Sequence, residues 1–296
     1  MKLKPWLRFF RLPNLPTAPG DAWAGAAFFL PYAQERLPQA LIAGVCALLL
    51  YMFGLSDNDI VGAKTDGTER PIPAGDISLT AAKLMRGLLL VSAFALGAIG
   101  DLGRGWTFAA VALVLSVMTY NRYKSKWFMG FCRGLSVACG IFAVQMPTAL
   151  VDSAAPLLLL ALLVLGWTGY IAAVTKLSEG EERPSDGLGR IRYFWGLAAF
   201  IPCGACFFLP HATPAILPFV GSLFTYLAWC VAVAPLGEPH EPALRRRSVG
   251  ATIGALLYMQ IGFMLVEPRP EFVAAAVAVW LATRIVRRLA PTISGS

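Results

Sequence analysis

The chain has 296 residues, 57% of them hydrophobic and only 14% charged, with a mean hydropathy of +0.64. A soluble domain averages about 25% charged residues. The composition therefore excludes a soluble globular domain, a disordered chain and a disulfide scaffold, and it points to a polytopic membrane protein. The formal net charge is +8, and the placement of the basic residues decides what that means.

A basic N-terminus (Lys2, Lys4, Arg8, Arg11) leads into the first apolar run, at 15–34. Asn14, Pro16, Pro19 and Asp21 interrupt its start, so the segment is read as a retained first helix rather than a cleaved signal peptide. Asp21, if immersed, must be paired or line a cavity. Further apolar runs follow at 37–56, 84–100, 105–121, 134–151, 153–175, 193–210, 212–235, 248–266 and 270–289. Each is close to the length of a membrane helix, and together they predict ten spans in one domain covering 1–296.

With the N-terminus inside and the spans alternating, all of the 25 Lys and Arg residues except Arg36, Arg104 and Arg269 fall on inside segments or the adjoining helix ends. That asymmetry is the positive-inside pattern. It predicts an integral multi-pass membrane protein with both termini cytoplasmic. The basic excess is then topological, and no nucleic-acid partner is expected. The Arg245-Arg246-Arg247 cluster would hold its loop inside, against anionic lipid. The two long polar loops, after spans two and six, are both inside, and function concentrates in such loops. The six cysteines lie in or beside apolar runs and read as packing residues. His211 and His240 read as solvated loop residues.

Span two runs into Asp57-Asn58-Asp59, then Gly62, Asp66 and the turn Arg70-Pro71-Ile72-Pro73-Ala74-Gly75. A continuing helix would place Asn58, Gly62 and Asp66 on one face. Hard oxygen ligands so placed suit Mg²⁺, which is usually held by one or two carboxylates together with phosphate oxygens.

Asn58-Asp59-x6-Asp66 followed by Arg70-Pro71-Ile72-Pro73-Ala74-Gly75 resembles the first signature of the UbiA superfamily of intramembrane prenyltransferases. Arg11-Leu12-Pro13-Asn14 is similar to the opening of that family's first helix. Tyr120-x3-Lys124 is similar to its Tyr-x3-Lys, and Tyr170 with the acidic segment after it stands where the second Asp-rich motif belongs. Departures mark a divergent bacterial UbiA-like branch, which Gly130-Phe131-Cys132-Arg133-Gly134-Leu135 also resembles. Gly62 replaces the middle Asp of the first motif, Ile171 and Ser178 replace Asp residues of the second, and Glu179, Glu181 and Glu182 stand near its final acidic pair.

The resemblance implies an all-α polytopic membrane protein, a UbiA-like bundle of nine to ten transmembrane helices with a cytoplasmic active site. It implies Mg²⁺-dependent transfer of a prenyl group from an allylic prenyl diphosphate to an aromatic or lipid-like acceptor. Asn58, Asp59, Asp66 and Lys124 would be catalytic. Asn58, Asp59 and Asp66 would hold one metal ion, and Glu179, Glu181 and Glu182 a second. Asn14, Arg70, Lys126, Arg133 and Tyr170 would bind substrate, the cations by contacting phosphate. Trp106, Tyr120, Phe142, Trp167 and Tyr170 would either line a prenyl tunnel or form interfacial belts. The alternative is a catalytically degenerate prenyl-lipid binding or transport protein on the same fold.

Overall fold

The computed structural model describes residues 3–30, 34–144, 155–179, 186–208, 216–266 and 269–294. Its helices are α1 Leu3–Phe9, α2 Thr17–Phe29, α3 Leu37–Val61, α4 Leu79–Ile99, α5 Gly103–Tyr123, α6 Lys126–Ala143, α7 Ala155–Ser178, α8 Ile191–Trp195 running on as a 3₁₀ segment Gly196–Phe208, α9 Ile216–Val233, α10 Pro242–Met264 and α11 Pro270–Ser294. In its described residues, each of the ten apolar runs read from the sequence overlaps one of these helical elements. Among the described residues, four helices are long and apolar enough on their own to cross a membrane.

The bundle is built around α2. Every residue of α2 except Trp23 is buried, and the helix packs against α3, α6, α10 and α11. Its composition explains this. Helices in lipid associate through close packing rather than through a hydrophobic driving force, so small residues mark their contacts. Ala18, Gly20, Ala22, Ala24, Gly25, Ala26 and Ala27 leave α2 thin enough to be surrounded. A Cβ at Gly25 would run into the Val137 carbonyl, and one at Gly140 into the Ala22 carbonyl. The outer helices instead turn large apolar residues outward: Leu84, Leu88 and Val91 on α4, and Phe108 and Leu115 on α5, are exposed.

α3 has 25 residues, which makes it about 38 Å long at ~1.5 Å per residue. That exceeds a hydrocarbon core of about 30 Å, so its C-terminal turn reaches the polar edge. The helix stops at Val61 and tightens into one 3₁₀ turn, Gly62–Lys64. The Arg-Pro-Ile-Pro-Ala-Gly segment then reverses the chain. The Ala74 amide donates to the Arg70 carbonyl at 3.0 Å and the Ile77 amide to Pro71 at 3.1 Å, while Gly75 takes φ 76°, a conformation natural to glycine. The Ser78 hydroxyl caps α4 by accepting from the Ala81 amide.

Two boundaries correct the sequence reading. The helix does not carry Asp66 onto the face of Asn58 and Gly62. Asp66 lies beyond the 3₁₀ turn, where its amide donates to the Gly62 carbonyl at 2.8 Å. α6 begins at Lys126 rather than near 134, because Lys124 and Ser125 suffice for the turn after α5. Arg133 is therefore two turns inside a helix and not on the rim.

Candidate active site

A cavity of ≈ 230 Å³ opens among α2, α3, α5, α6, α7 and α10. Its walls are mostly apolar, with Leu50, Leu55, Leu113, Val117, Val174 and Leu256 among the lining residues, and one end carries Arg11, Asn14, Asn58 and Asn121.

Asp59, the second residue of the first motif, is buried at the last turn of α3. Its Oδ1 accepts from Arg11 Nη2 at 3.1 Å and from Asn58 Nδ2 at 3.3 Å, and Arg70 Nη1 lies 3.5 Å away. Its Oδ2 is buried with no hydrogen-bond partner among the described residues. Arg70 also reaches Asp66, with Nε 3.9 Å from Oδ2. The Lys124 ammonium donates to Asn58 Oδ1 and stands 5.5 Å from the centre of the Tyr120 ring. The structure thus brings Asn58, Asp59, Asp66, Arg70 and Lys124 together, and adds Arg11. A buried carboxylate oxygen left without a partner is costly, so this one is an opening for a ligand.

The backbone is specialised here too. Arg11, Asp101 and Lys124 are the non-glycine residues with positive φ among those described, and Arg11 (φ 45°) and Lys124 (φ 53°) both point into this site. Such conformations cost energy and tend to gather at functional positions. Burial pushes the Lys124 ammonium below its ordinary pKa. Asp66 works against the shift, while Arg11 and Arg70 add to it.

Gly62 has a physical counterpart. An added Cβ would meet the Asp66 carboxylate. Asp66 folds back over the position where the motif's middle Asp would sit, and glycine leaves the room for it. For one Mg²⁺, the Asn58 amide oxygen, Asp59 Oδ2 and the Asp66 carboxylate make a fitting hard-oxygen set.

The second acidic segment is different. Tyr170 does not line the cavity: it is fully buried, donates its hydroxyl to the Thr252 carbonyl at 2.7 Å and packs on Trp229. Ile171, Thr175 and Ser178 do line it. Glu179 is ion-paired with Lys176 and lies 4.0 Å from Lys126, so Lys126 serves this rim pair. Glu181 and Glu182 lie outside the described residues. Among the described residues, no group of three His, Cys, Asp or Glu gathers as a metal site; the first motif reaches its set only with the Asn58 amide.

Asn14 lines the cavity, and its carbonyl accepts from the Thr17 hydroxyl at 2.9 Å. Arg133 also lines it, ion-paired through Nε with Asp21 Oδ2 at 2.6 Å. That contact is a close approach of charges rather than a well-directed hydrogen bond, since neither atom finds a bond of good geometry. Asp21 is fully buried, and its Oδ1 accepts from Gln260 at 2.6 Å and Trp167 at 2.8 Å. Tyr120 lines the cavity, whereas Trp106 and Trp167 are buried in the core rather than forming belts. His240 is buried with Nδ1 2.9 Å from the Glu238 carbonyl oxygen, contrary to the solvated reading; His211 lies outside the described residues. The sequence reading missed Gln260, whose one signal is a polar side chain inside an apolar run. It also missed Asp57, which Arg86 (2.7 Å) and Asn121 (2.8 Å) pin between α3, α4 and α5.

Comparison with known proteins places the fold. No protein-family model matches the sequence, and no curated protein matches it. The chain resembles a solved structure of digeranylgeranylglyceryl phosphate synthase in membranes, with a TM-score of 0.54 at 17% identity, over 89% of this chain and 97% of that one. A UbiA homolog from Archaeoglobus fulgidus bound to GPP and Mg²⁺ is more distant, with a TM-score of 0.47 at 13% identity, over 99% of this chain and 100% of that one. The described residues form an all-α polytopic membrane protein whose bundle has the fold of the digeranylgeranylglyceryl phosphate synthase structure. At these identities the likeness establishes the fold, and the chemistry has to be argued from the residues.

Proposed function

We propose that the chain, acting as one domain, is a divergent member of the UbiA superfamily. It transfers a prenyl group from an allylic prenyl diphosphate to an aromatic or lipid-like acceptor, with Mg²⁺, at the cytoplasmic face of the membrane. One observation carries this reading: carboxylates and cations converge at the polar mouth of an apolar cavity, and Asp59 Oδ2 has no hydrogen-bond partner among the described residues. Three cations, Arg11, Arg70 and Lys124, face two carboxylates, Asp59 and Asp66. The surplus is positive and suits an incoming anion.

In the reaction, the bond between prenyl C1 and its oxygen breaks and the electron pair leaves with the diphosphate. A bond forms from the acceptor to C1, and the acceptor's proton passes to water. Arg11, Arg70 and Lys124 hold the diphosphate oxygens and stabilise the charge that develops on them. Asn58, Asp59 and Asp66 would hold Mg²⁺, which supplies Lewis-acid stabilisation of the leaving diphosphate when bound. The apolar walls keep water from the prenyl cation.

The test is binding of a non-hydrolysable prenyl diphosphate analogue to purified protein, with and without Mg²⁺, for wild type and Asp66→Asn. Mg²⁺-dependent binding that the substitution removes supports the proposal. Binding indifferent to both replaces it with a lipid-handling role on the same fold, and absence of binding refutes it.

A further inference from the structure

The cavity has a second polar place, deeper than the acidic motif. Arg133 Cζ lies 5.7 Å from the centre of the Tyr51 ring, and Tyr51 is seven residues before Asn58 on α3. At ~1.5 Å per residue, that puts its backbone about 10 Å before Asn58 along α3, on the membrane side of the acidic motif. Thr17, Tyr51, Arg133 and Ser136 line the cavity at this level.

The Arg133 side chain is nine-tenths buried and clamped on one edge. Nε faces Asp21, and Nη2 donates to the Thr17 carbonyl at 3.1 Å. Nη1 takes part in no described hydrogen bond, so two N–H donors remain for whatever fills the cavity. A guanidinium is a rigid fork, and holding it on one edge aims the other. Asp21 Oδ1 accepts from Gln260 and Trp167, and its Oδ2 is ion-paired with Arg133. It is a positioning residue that fixes the fork and cancels its charge.

That cancellation decides the ligand. A bare arginine in lipid would recruit an anion, but this one already has its counter-ion, and burying a second anion beside Asp21 would leave an unpaired charge. We infer that Arg133, held by Asp21 and Thr17, binds the uncharged hydroxyl or carbonyl oxygen of the prenyl acceptor. This rests on the prenyl-transfer reading and narrows its acceptor to a neutral, oxygen-bearing apolar molecule. It also moves Arg133 from the diphosphate to the acceptor.

The experiment uses the full chain in lipid nanodiscs, without prenyl diphosphate or Mg²⁺, so it is independent of the donor site. The probes are 4-octylphenol, octylbenzene and 4-octylbenzoate, measured in competition with tritiated 4-octylphenol and corrected for empty nanodiscs. Wild type should bind octylphenol about tenfold more tightly than octylbenzene, as one hydrogen bond to a charged group of about 1.4 kcal/mol allows. Octylbenzoate should bind more weakly than octylphenol. The preference for the phenol should vanish in the charge-balanced double variant Arg133→Gln/Asp21→Asn. It should also vanish in Arg133→Lys, which keeps the ion pair and loses the fork and so decides the matter if the double variant does not fold. Equal binding of phenol and hydrocarbon, or a preference that survives substitution, overturns the assignment. Tighter binding of the benzoate overturns the neutral-oxygen requirement. If the phenol site stands while the diphosphate analogue fails to bind, the prenyl-transfer reading falls and the Arg133 site remains.

Discussion

Asp21→Asn isolates charge from hydrogen bonding at the centre of the bundle. Asparagine keeps a carbonyl oxygen for Gln260 Nε2 and Trp167 Nε1, now 2.6 and 2.8 Å from Asp21 Oδ1. It removes the charge that faces Arg133 Nε at 2.6 Å. Interhelical hydrogen bonds in membranes average about 0.6 kcal/mol and reach about 1.7, so a site built on hydrogen bonds alone would lose at most about 2. Removing one member of a buried ion pair costs about 3–5 kcal/mol, because the other charge is left uncompensated. The side chains are 10% and 0% exposed, so little solvent screening discounts that figure. We expect Asp21→Asn to cost about 3 kcal/mol, a large share of a total of about 5–15. Adding Arg133→Gln should recover about 2 kcal/mol, since the neutral pair has no orphaned charge. Reversible unfolding of the detergent-solubilised protein, followed by tryptophan fluorescence, measures all four corners of the cycle. An Asp21→Asn protein within about 0.5 kcal/mol of wild type, or a double variant as costly as the sum of the singles, would refute the reasoning.

Gly62→Ala should displace the Asp66 carboxylate, the flexible group its Cβ would meet, and weaken Mg²⁺-dependent binding of the diphosphate analogue about tenfold, with little effect on the unfolding midpoint. Gly140→Ala should destabilise the bundle by about 2 kcal/mol or more, because its Cβ meets the backbone carbonyl of Ala22, which cannot move aside. Gly87→Ala, with nothing within 4 Å of its Cβ, should be neutral or stabilising by up to about 1 kcal/mol in the same unfolding assay. Lys124 gives a pH dependence. Its folded pKa lies below the ordinary 10.5, so its charged form disfavours folding, and that cost is relieved as pH rises from the folded towards the unfolded pKa. Anion binding runs the other way: affinity for the diphosphate analogue should begin to fall at a pH below 10.5, and Lys124→Met should flatten that part of the profile while weakening binding throughout. A fall confined to pH above 10.5 would contradict the assigned burial.

The helices and the rim were legible because both are written locally. An apolar run of membrane length announces a helix wherever it occurs. The Asn58-Asp59 to Gly75 segment holds an acidic helix end and its own turn within 18 residues, so Asn58, Asp59, Asp66 and Arg70 could be grouped before any fold was known. The middle of the cavity was not written that way. Asp21 and Gln260 are 239 residues apart, Arg133 and Thr17 are 116 apart, and only the wrapping of α6 and α10 around a thin α2 makes them neighbours. Arg133 was visible, but the apparent start of its span left it among the rim cations, where a topological charge and a ligand-binding one look alike. Asp21 showed the limit most clearly. Its immersion required a partner on energetic grounds, yet nothing in the chain could say which of 25 Lys and Arg residues supplied it.

The pairing found has a functional consequence. At the rim, Arg11, Arg70 and Lys124 outnumber their carboxylates and favour an anion, whereas at depth Arg133 is balanced and favours an uncharged oxygen. On the proposed function, a prenyl diphosphate would enter this cavity with its head at the rim, and the acceptor's oxygen would take the other pole. The reacting carbon would then lie in the apolar length between them.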